Sequence, residues 1–453
     1  MSRPPMNIVL IAPEMEPFAG HGPVAQVVGA LPKALRSLDN EVTVILPLLR
    51  GIEPARHSLA RRLTKLTFQV GGEEYACEQW SGRTIAGVET IFIGHETLFH
   101  SVDSLEEGDD AALRAAVFAR AAAALLAKNE PGWQVVHGHG WVGAAALAAA
   151  SDAGVELPSV LTVHDTRAQG PSVDAGMFAG VGNEGVLAAG ARCAEAVTVG
   201  SPSLASVVRD ALGEALGSRE IRGIAHGLDE AIWNPLTDPE LPARFDPVDL
   251  RGKAHCKAEL QRTLELPARP EVPLLVAVGT EVEAWRRLVK VAPRVMRNDV
   301  QVVAIEPPEE SGLREALVEI QERWPDRFQV RWGKGKTLAH RARAGADLAV
   351  ILTDHAPDGA DPMIAQRYGA VPVAPRVGAA ADVIVDADAN LESGSGFLFE
   401  AKDEEELLGA IRRAIAAVTR PGFPDLRRRV MRIDSSWERS ARLHGALYES
   451  LTA

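Results

Sequence analysis

The stretch DLAVILTDHAPDGADPMIAQRYGAVPVAP, residues 347–375, decides the fold. It opens on an apolar run, Leu348 to Ile351, and crosses a polar loop. It continues as a helix from Pro362 to Tyr368, stops at Gly369 and enters a second apolar strand, Val371 to Ala374. Two strands joined through a helix make a crossover unit, and crossovers of this kind join parallel strands. In an open α/β sheet the loop beyond a strand's carboxyl end is where ligands bind. That loop holds Asp354, His355, Asp358 and Asp361 before the helix, with no Lys or Arg. Three carboxylates at that position oppose the binding of a phosphate.

The same alternation extends in both directions. NIVLIAP, EVTVILPL, VETIFIG, WQVVHGHG, PSVLTVHD, AVTVGS and IRGIAHG read as strands in the first half. Helical periodicity separates them at Pro23–Leu38, Ala111–Lys128, Val142–Ser151 and Ser203–Leu212. The proline-rich run 228–253 breaks the pattern and reads as an ordered linker. The alternation then restarts with PLLVAVG, VQVVAIEP and RFQVRWG. The fold class is therefore α/β, with two doubly wound, Rossmann-like domains facing across a cleft. The expected domains are 1–240 and 250–430, with a terminal helix over 431–453 packing back on the first.

Composition narrows the function. The chain has 453 residues, 46% hydrophobic and 24% charged, with a net charge of −13 and no basic block. A nucleic-acid partner is not expected, since phosphate backbones call for clustered Lys and Arg. Three cysteines, at 77, 193 and 256, lack paired or metal-like spacing and fit a reducing compartment. The sequence enters a strand pattern at residue 7, which leaves no room for a signal peptide. No apolar run reaches the roughly 18 residues of a membrane span. The expected location is cytoplasmic. GKGKT at 333–337 lacks the first Gly of a phosphate loop and carries no nucleotide reading.

Longer motifs carry a family resemblance. PEMEPFAGHGPVAQVVGALPKAL resembles the opening of bacterial glycogen synthases and plant starch synthases. The segment from Gly227 through AHCKAELQRTL resembles that family's linker. LAHRARAGADLAVILTD, QRYGAVPVAPR, GSGFLFE and SSWERSARLHGALY are similar to its second half, in order. The resemblance spans about residues 7–448. It implies the two-domain GT-B fold and a metal-free, retaining transfer of glucose from ADP-glucose to an α-1,4-glucan.

The residues such a site needs depart from the family pattern. A metal-free transfer requires fixed cations to stabilise the leaving diphosphate. The family supplies an Arg and a Lys in S-R-L-T-x-x-K-G, whose positions fall here on Thr280 and Trp285. Arg286 and Arg287 follow one and two residues later, which turns them about 100° and 200° along a helix. Of the family loop K-T-G-G-L-A-D only Gly22 is matched, followed by Pro23. The Asp of H-A-H-D-W is Gly140, and the Asn of N-G-I-D is His226. In S-R-F-E-P-C-G the Arg is Asp354 and the Glu is Ala356, while Pro357 and Gly359 persist. A cation–phosphate contact is worth roughly 1.5–3 kcal/mol. Losing two costs about two to four decades in affinity or rate.

Other positions are kept. His164 matches the family His near the donor sugar's hydroxyls, Gln169 the end of its Y-Q-G, and His139 and Trp141 lie within HGHGW. The former donor and sugar positions are thus Gly22, His139, His164, Gln169, Thr280, Trp285, His355 and Gly359, with no catalytic residue retained. His21, His226, Asp354 and Asp358 are new polar residues there. Imidazole and carboxylate are transition-metal ligand types, and His titrates near neutrality. The reading kept has neither metal nor cofactor. It is a degenerate glycosyltransferase that binds, regulates or scaffolds, with glucan, a nucleotide sugar, an active synthase relative or another protein as partner. The alternative is an active transferase with altered phosphate contacts, which needs another cation such as Arg167, Arg286 or Lys334.

Overall fold

In the computed structural model, residues 5–20, 22–171, 185–333, 335–355 and 359–453 are described. His21, Lys334 and Asp358 from the sequence reading lie outside them, as do Ala356 and Pro357. The chain forms two compact units, residues 1–226 with 437–453, and residues 227–436.

The first unit is built on a ten-stranded sheet. Its strands are β1 (Asn7–Ile11), β2 (Glu41–Pro47), β3 (Ala60–Arg61), β4 (Leu66–Val70), β5 (Glu73–Arg83), β6 (Glu89–Gly94), β7 (Val135–His139), β8 (Ser159–Val163), β9 (Ala196–Val199) and β10 (Ile221–Gly223). Their order is β10-β9-β8-β7-β1-β2-β6-β5-β3, with β4 on β5. From β10 to β6 every pairing is parallel, and β1, β7, β8 and β9 are almost wholly buried. Apolar runs without alternation are what a sheet covered on both faces requires. The antiparallel pairs β3–β5 and β4–β5 have no counterpart in the sequence reading. Their faces are polar and half-exposed, so no buried run marks them.

Helices cover the sheet. The one at Gly140–Asp152 is buried along nearly its whole length, and its many alanines let it sit close to helices Ala111–Lys128 and Val186–Cys193. Gly190 is required there, because a Cβ would lie 2.3 Å from the Cα of Ala144. Helix Trp437–Thr452, at the end of the chain, packs on helix Pro23–Arg36 and buries Trp437, Ala441, Leu447 and Tyr448 in this unit's core.

The second unit has a six-stranded parallel sheet of β11 (Leu274–Val278), β12 (Gln301–Ile305), β13 (Phe328–Arg331), β14 (Leu348–Ile351), β15 (Val371–Pro375) and β16 (Phe397–Phe399). The order β13-β12-β11-β14-β15-β16 is the doubly wound order with its switch between β11 and β14. Helix Ala360–Arg367 connects β14 to β15, the crossover read from residues 347–375.

The proline-rich run belongs to this unit. Asp238 accepts from His340 at 2.7 Å and from the Tyr368 hydroxyl, while Trp233 stacks on His340 at 4.1 Å. Leu228 and Phe245 join Tyr368 and Met431 in one apolar cluster. Below it Asp347 receives Lys257 at 2.7 Å, Arg427 at 2.6 Å and the Leu274 amide at 3.0 Å. That network ties helices Arg251–Thr263 and Phe423–Met431 to the start of β14.

Candidate functional site

In the second unit the switch point lies beyond the carboxyl ends of β11 and β14. The strand ends approach so closely that Gly279, with φ +150°, has no room for a side chain: a Cβ would lie 2.1 Å from the Leu352 carbonyl oxygen. Thr280 follows and is exposed. Glu281 caps helix Val282–Val295, yet its side chain makes no bond to that helix. It turns to the loop after β14. There its carboxylate accepts from Thr353 Oγ1 at 2.8 Å, the Asp354 amide at 2.9 Å and His355 Nδ1 at 3.0 Å. Burial pushes this carboxyl up, but the bonds from His355, Thr353 and Asp354 outweigh it, and the net shift is downward.

The charged residues around it are paired. Asp354 is bound by Arg287, with side chains only 9% and 13% exposed. This corrects the expectation that Arg287 turns away from the site. Trp285 is 0% exposed and faces the core, its indole N–H bound to the Gly279 carbonyl at 2.9 Å. A residue two positions on therefore faces the loop, and Trp285 itself is a core residue rather than part of a site. Arg286 is held by Glu283 at 2.7 Å and Glu310 at 3.3 Å. Asp361 is bound by Arg343 at 2.7 Å. Gly359, with φ +65°, begins helix Ala360–Arg367 in the left-handed region that glycine tolerates.

In the first unit the switch lies between β1 and β7. Gly22 is extended and caps helix Pro23–Arg36, so Pro23 takes the first helical position, which a missing N–H suits. At Gly20 a Cβ would lie 2.0 Å from Glu14 Oε2, which places that carboxylate directly beneath the loop. Gly170, with φ +81°, lies against Trp141, where a Cβ would come within 2.8 Å of the indole. The side-chain amide of the preceding Gln169 donates to the Thr166 carbonyl. Arg167 forms a two-point pair with Asp165 at 3.0 and 2.7 Å.

Five histidines form a column in this unit. The His137 ring lies tilted by 33° against His139, with centroids 4.3 Å apart, and by 33° against His444 at 5.6 Å. His139 stacks on His164 at 5.4 Å, His164 meets His226 at a 42° tilt 5.6 Å away, and His226 stacks on Trp437 at 5.8 Å. His137 bonds the Tyr448 hydroxyl at 2.7 Å and Thr162 Oγ1 at 2.6 Å, and His139 Nδ1 meets His164 Nε2 at 3.1 Å. Gly200 leaves room for the ring of His226, which a Cβ there would approach to 2.7 Å.

Desolvation, reinforced by the neighbouring imidazoles, holds His137, His139 and His226 well below the usual range. Desolvation, with His444 beside it, pushes His164 down to about 4. Desolvation brings His444 itself to about 4, against its own bond to the Ser440 carbonyl oxygen, which raises it.

The candidate residues thus divide between two switch points. His139, His164, His226, Gln169 and Gly22 belong to the first unit, and Thr280, Asp354, His355 and Gly359 to the second. Among the described residues no group of three or more His, Cys, Asp or Glu is arranged to hold a metal. His355 does not join the other imidazoles and bonds Glu281 instead. The sequence reading missed Glu281 as a site residue, and it missed His137, His444 and Tyr448. Nothing local in the sequence announces a contact between Glu281 and a loop 73 positions away.

The fold is shared with known GT-B glycosyltransferases. The catalytic domain of starch synthase IV from Arabidopsis thaliana, bound to ADP and acarbose, superposes with a TM-score of 0.86 at 26% identity, covering 99% of this chain and 100% of that one. Sucrose-phosphate synthase from Thermosynechococcus elongatus shares the fold, with a TM-score of 0.63 at 17% identity over 98% and 99% of the two chains.

The starch synthase catalytic domain family matches residues 7–219. A glycogen synthase from Anaeromyxobacter dehalogenans is 34% identical over 98% of this chain and 99% of its own length. Glycogen synthase 2 of Agrobacterium fabrum is 30% identical over 98% and 93%. This chain belongs to the glycogen and starch synthase family of glycosyltransferases. No helix among its described residues is long and apolar enough to cross a membrane.

Proposed function

We propose that this chain keeps the glycogen synthase fold without its reaction, and acts as a binding, regulatory or scaffold protein. The observation that carries the reading is the Glu281 carboxylate seated on Thr353, Asp354 and His355 at the switch point of the second unit. Glu281 and Asp354 set two negative charges there against Arg287, whose guanidinium is already spent on Asp354. A diphosphate leaving group would meet net repulsion where transfer calls for fixed cations. With Thr280 and Trp285 in place of the family's Arg and Lys, the two cations that would gather the leaving group's charge are missing from those positions.

Starch synthase IV binds ADP and acarbose. For this chain we propose glucan as the retained ligand, with His164 and Gln169 as its polar contacts and His139 setting the orientation of His164 through the 3.1 Å bond. A cytoplasmic location and pairing with an active synthase relative belong to the same reading, and no metal or cofactor is part of it. The test is calorimetric titration of the purified protein with ADP-glucose, UDP-glucose and ADP to millimolar concentration, beside a labelled-glucose transfer assay on glucan. No nucleotide binding and no transfer are expected. Saturable donor binding below about 100 µM with measurable transfer would favour the alternative, an active enzyme with altered phosphate contacts. That alternative would draw on Arg287, which reaches the β14 loop through Asp354.

A further inference from the structure

We propose that Thr353, Asp354 and His355 form an oxyanion-binding loop that the chain fills with its own Glu281 carboxylate, so that removing this carboxylate opens a site for phosphate-class anions. Three donors of different kinds, a hydroxyl, a backbone N–H and a ring N–H, come from consecutive residues and converge on one group at 2.8, 2.9 and 3.0 Å. The His355 ring also lies 3.1 Å from the second carboxylate oxygen, so both oxygens of the anion are engaged. The His355 amide donates to Thr353 Oγ1 at 3.2 Å, which directs that hydroxyl's own proton toward Glu281. Asp354 presents its backbone N–H to the site and sends its side chain the other way, to Arg287.

Glu281 leaves its own helix uncapped in order to reach the loop. Its carboxylate is 24% exposed and His355 is 47% exposed, so water and small anions reach the same donors. With Glu281 removed, Asp354 stays neutralised by Arg287, and among the described residues no other carboxylate is bonded to the three donors. A tetrahedral oxyanion offers the same pair of oxygens as the carboxylate and adds charge for His355 to meet.

The inference rests on the reading that this switch point no longer takes a nucleotide diphosphate in the native chain. Wild type, Glu281→Ala and Glu281→Gln are titrated calorimetrically with inorganic pyrophosphate at low salt, with circular dichroism melts to show that each is folded. Glu281→Ala is expected to bind pyrophosphate at least tenfold more tightly than wild type. The gain should weaken as salt rises and vanish in Glu281→Ala combined with His355→Ala. A folded Glu281→Ala that binds no better than wild type overturns the proposal. If the alanine variant fails to fold, Glu281→Gln keeps the size of the side chain without its charge and is expected to gain at least threefold, and no gain in it overturns the proposal equally. Glucose transfer by wild type overturns the functional reading by itself, whereas a silent wild type with silent variants removes only the internal guest.

Discussion

Gly279 and Arg287 set the geometry of the switch point, and each makes a separate prediction. At Gly279 the obstacle is backbone, the Leu352 carbonyl, which cannot rotate aside as a side-chain tip would. Gly279→Ala should therefore cost about 2–4 kcal/mol, read as a lowered urea midpoint with an unchanged slope. A midpoint within error of wild type would mean that β11 and β14 can part freely. Arg287→Ala leaves Asp354 nearly buried without its cation, which should cost about 3 kcal/mol. Adding Asp354→Asn should recover most of that loss, and a double-mutant cycle with no coupling would show that the pair contributes nothing. Neither residue could be assigned from the sequence alone. Trp285 points into the core, so a turn of about 200° from it along the helix brings Arg287 onto the side of the loop, where it meets Asp354.

Elements were more legible than contacts. The crossover of residues 347–375 and the buried parallel strands stood out because a strand covered on both faces must be apolar throughout. The antiparallel β3–β5 segment escaped because its residues are polar and half-exposed, and neither strand nor helix periodicity survives there. The terminal helix Trp437–Thr452 was visible as a helix, but its bond from Tyr448 to His137 spans 311 positions and has no local signature. That bond can be tested. Tyr448→Phe keeps the packing and strips a buried imidazole of its hydroxyl partner, which should cost about 1–3 kcal/mol. Thermal unfolding of the variant should show it, and an unchanged Tm would mean that the second ring nitrogen and Thr162 suffice to satisfy His137. Removing 437–453 altogether takes Trp437, Ala441, Leu447 and Tyr448 out of one core, and should leave the first unit open to proteolysis under native conditions.

Across the whole molecule the titratable histidines are unevenly placed, and acid should act on the two units differently. The five imidazoles of the column all lie in the first unit. In the second, His340 and His355 each face a carboxylate, of Asp238 and Glu281. A buried histidine with a depressed pKa stabilises the fold above the unfolded value near 6.5, and that contribution drains away as pH falls toward the folded value. For His444, 3% exposed and pushed down to about 4, the window runs from about pH 6.5 to 4. The loss over it is about 3 kcal/mol for one group. The members of the column repel one another when charged, so their losses are coupled rather than summed. Moving from pH 7 to pH 5 should therefore weaken the first unit by about 2 kcal/mol or more. The second unit's buried Asp347, held below its ordinary value mainly by Arg427 and Lys257 against desolvation, gives way only in a more acid range. Hydrogen exchange, corrected for the intrinsic pH dependence, should show amides of β7, β8 and β9 losing opening free energy between pH 7 and 5 while those of β11, β12 and β14 hold theirs. His226→Asn, which restores the amide found in the glycogen synthase pattern at that position, should flatten the loss in the first unit. Equal losses in both sheets, or a slope indifferent to His226, would place the acid sensitivity somewhere other than the histidine column.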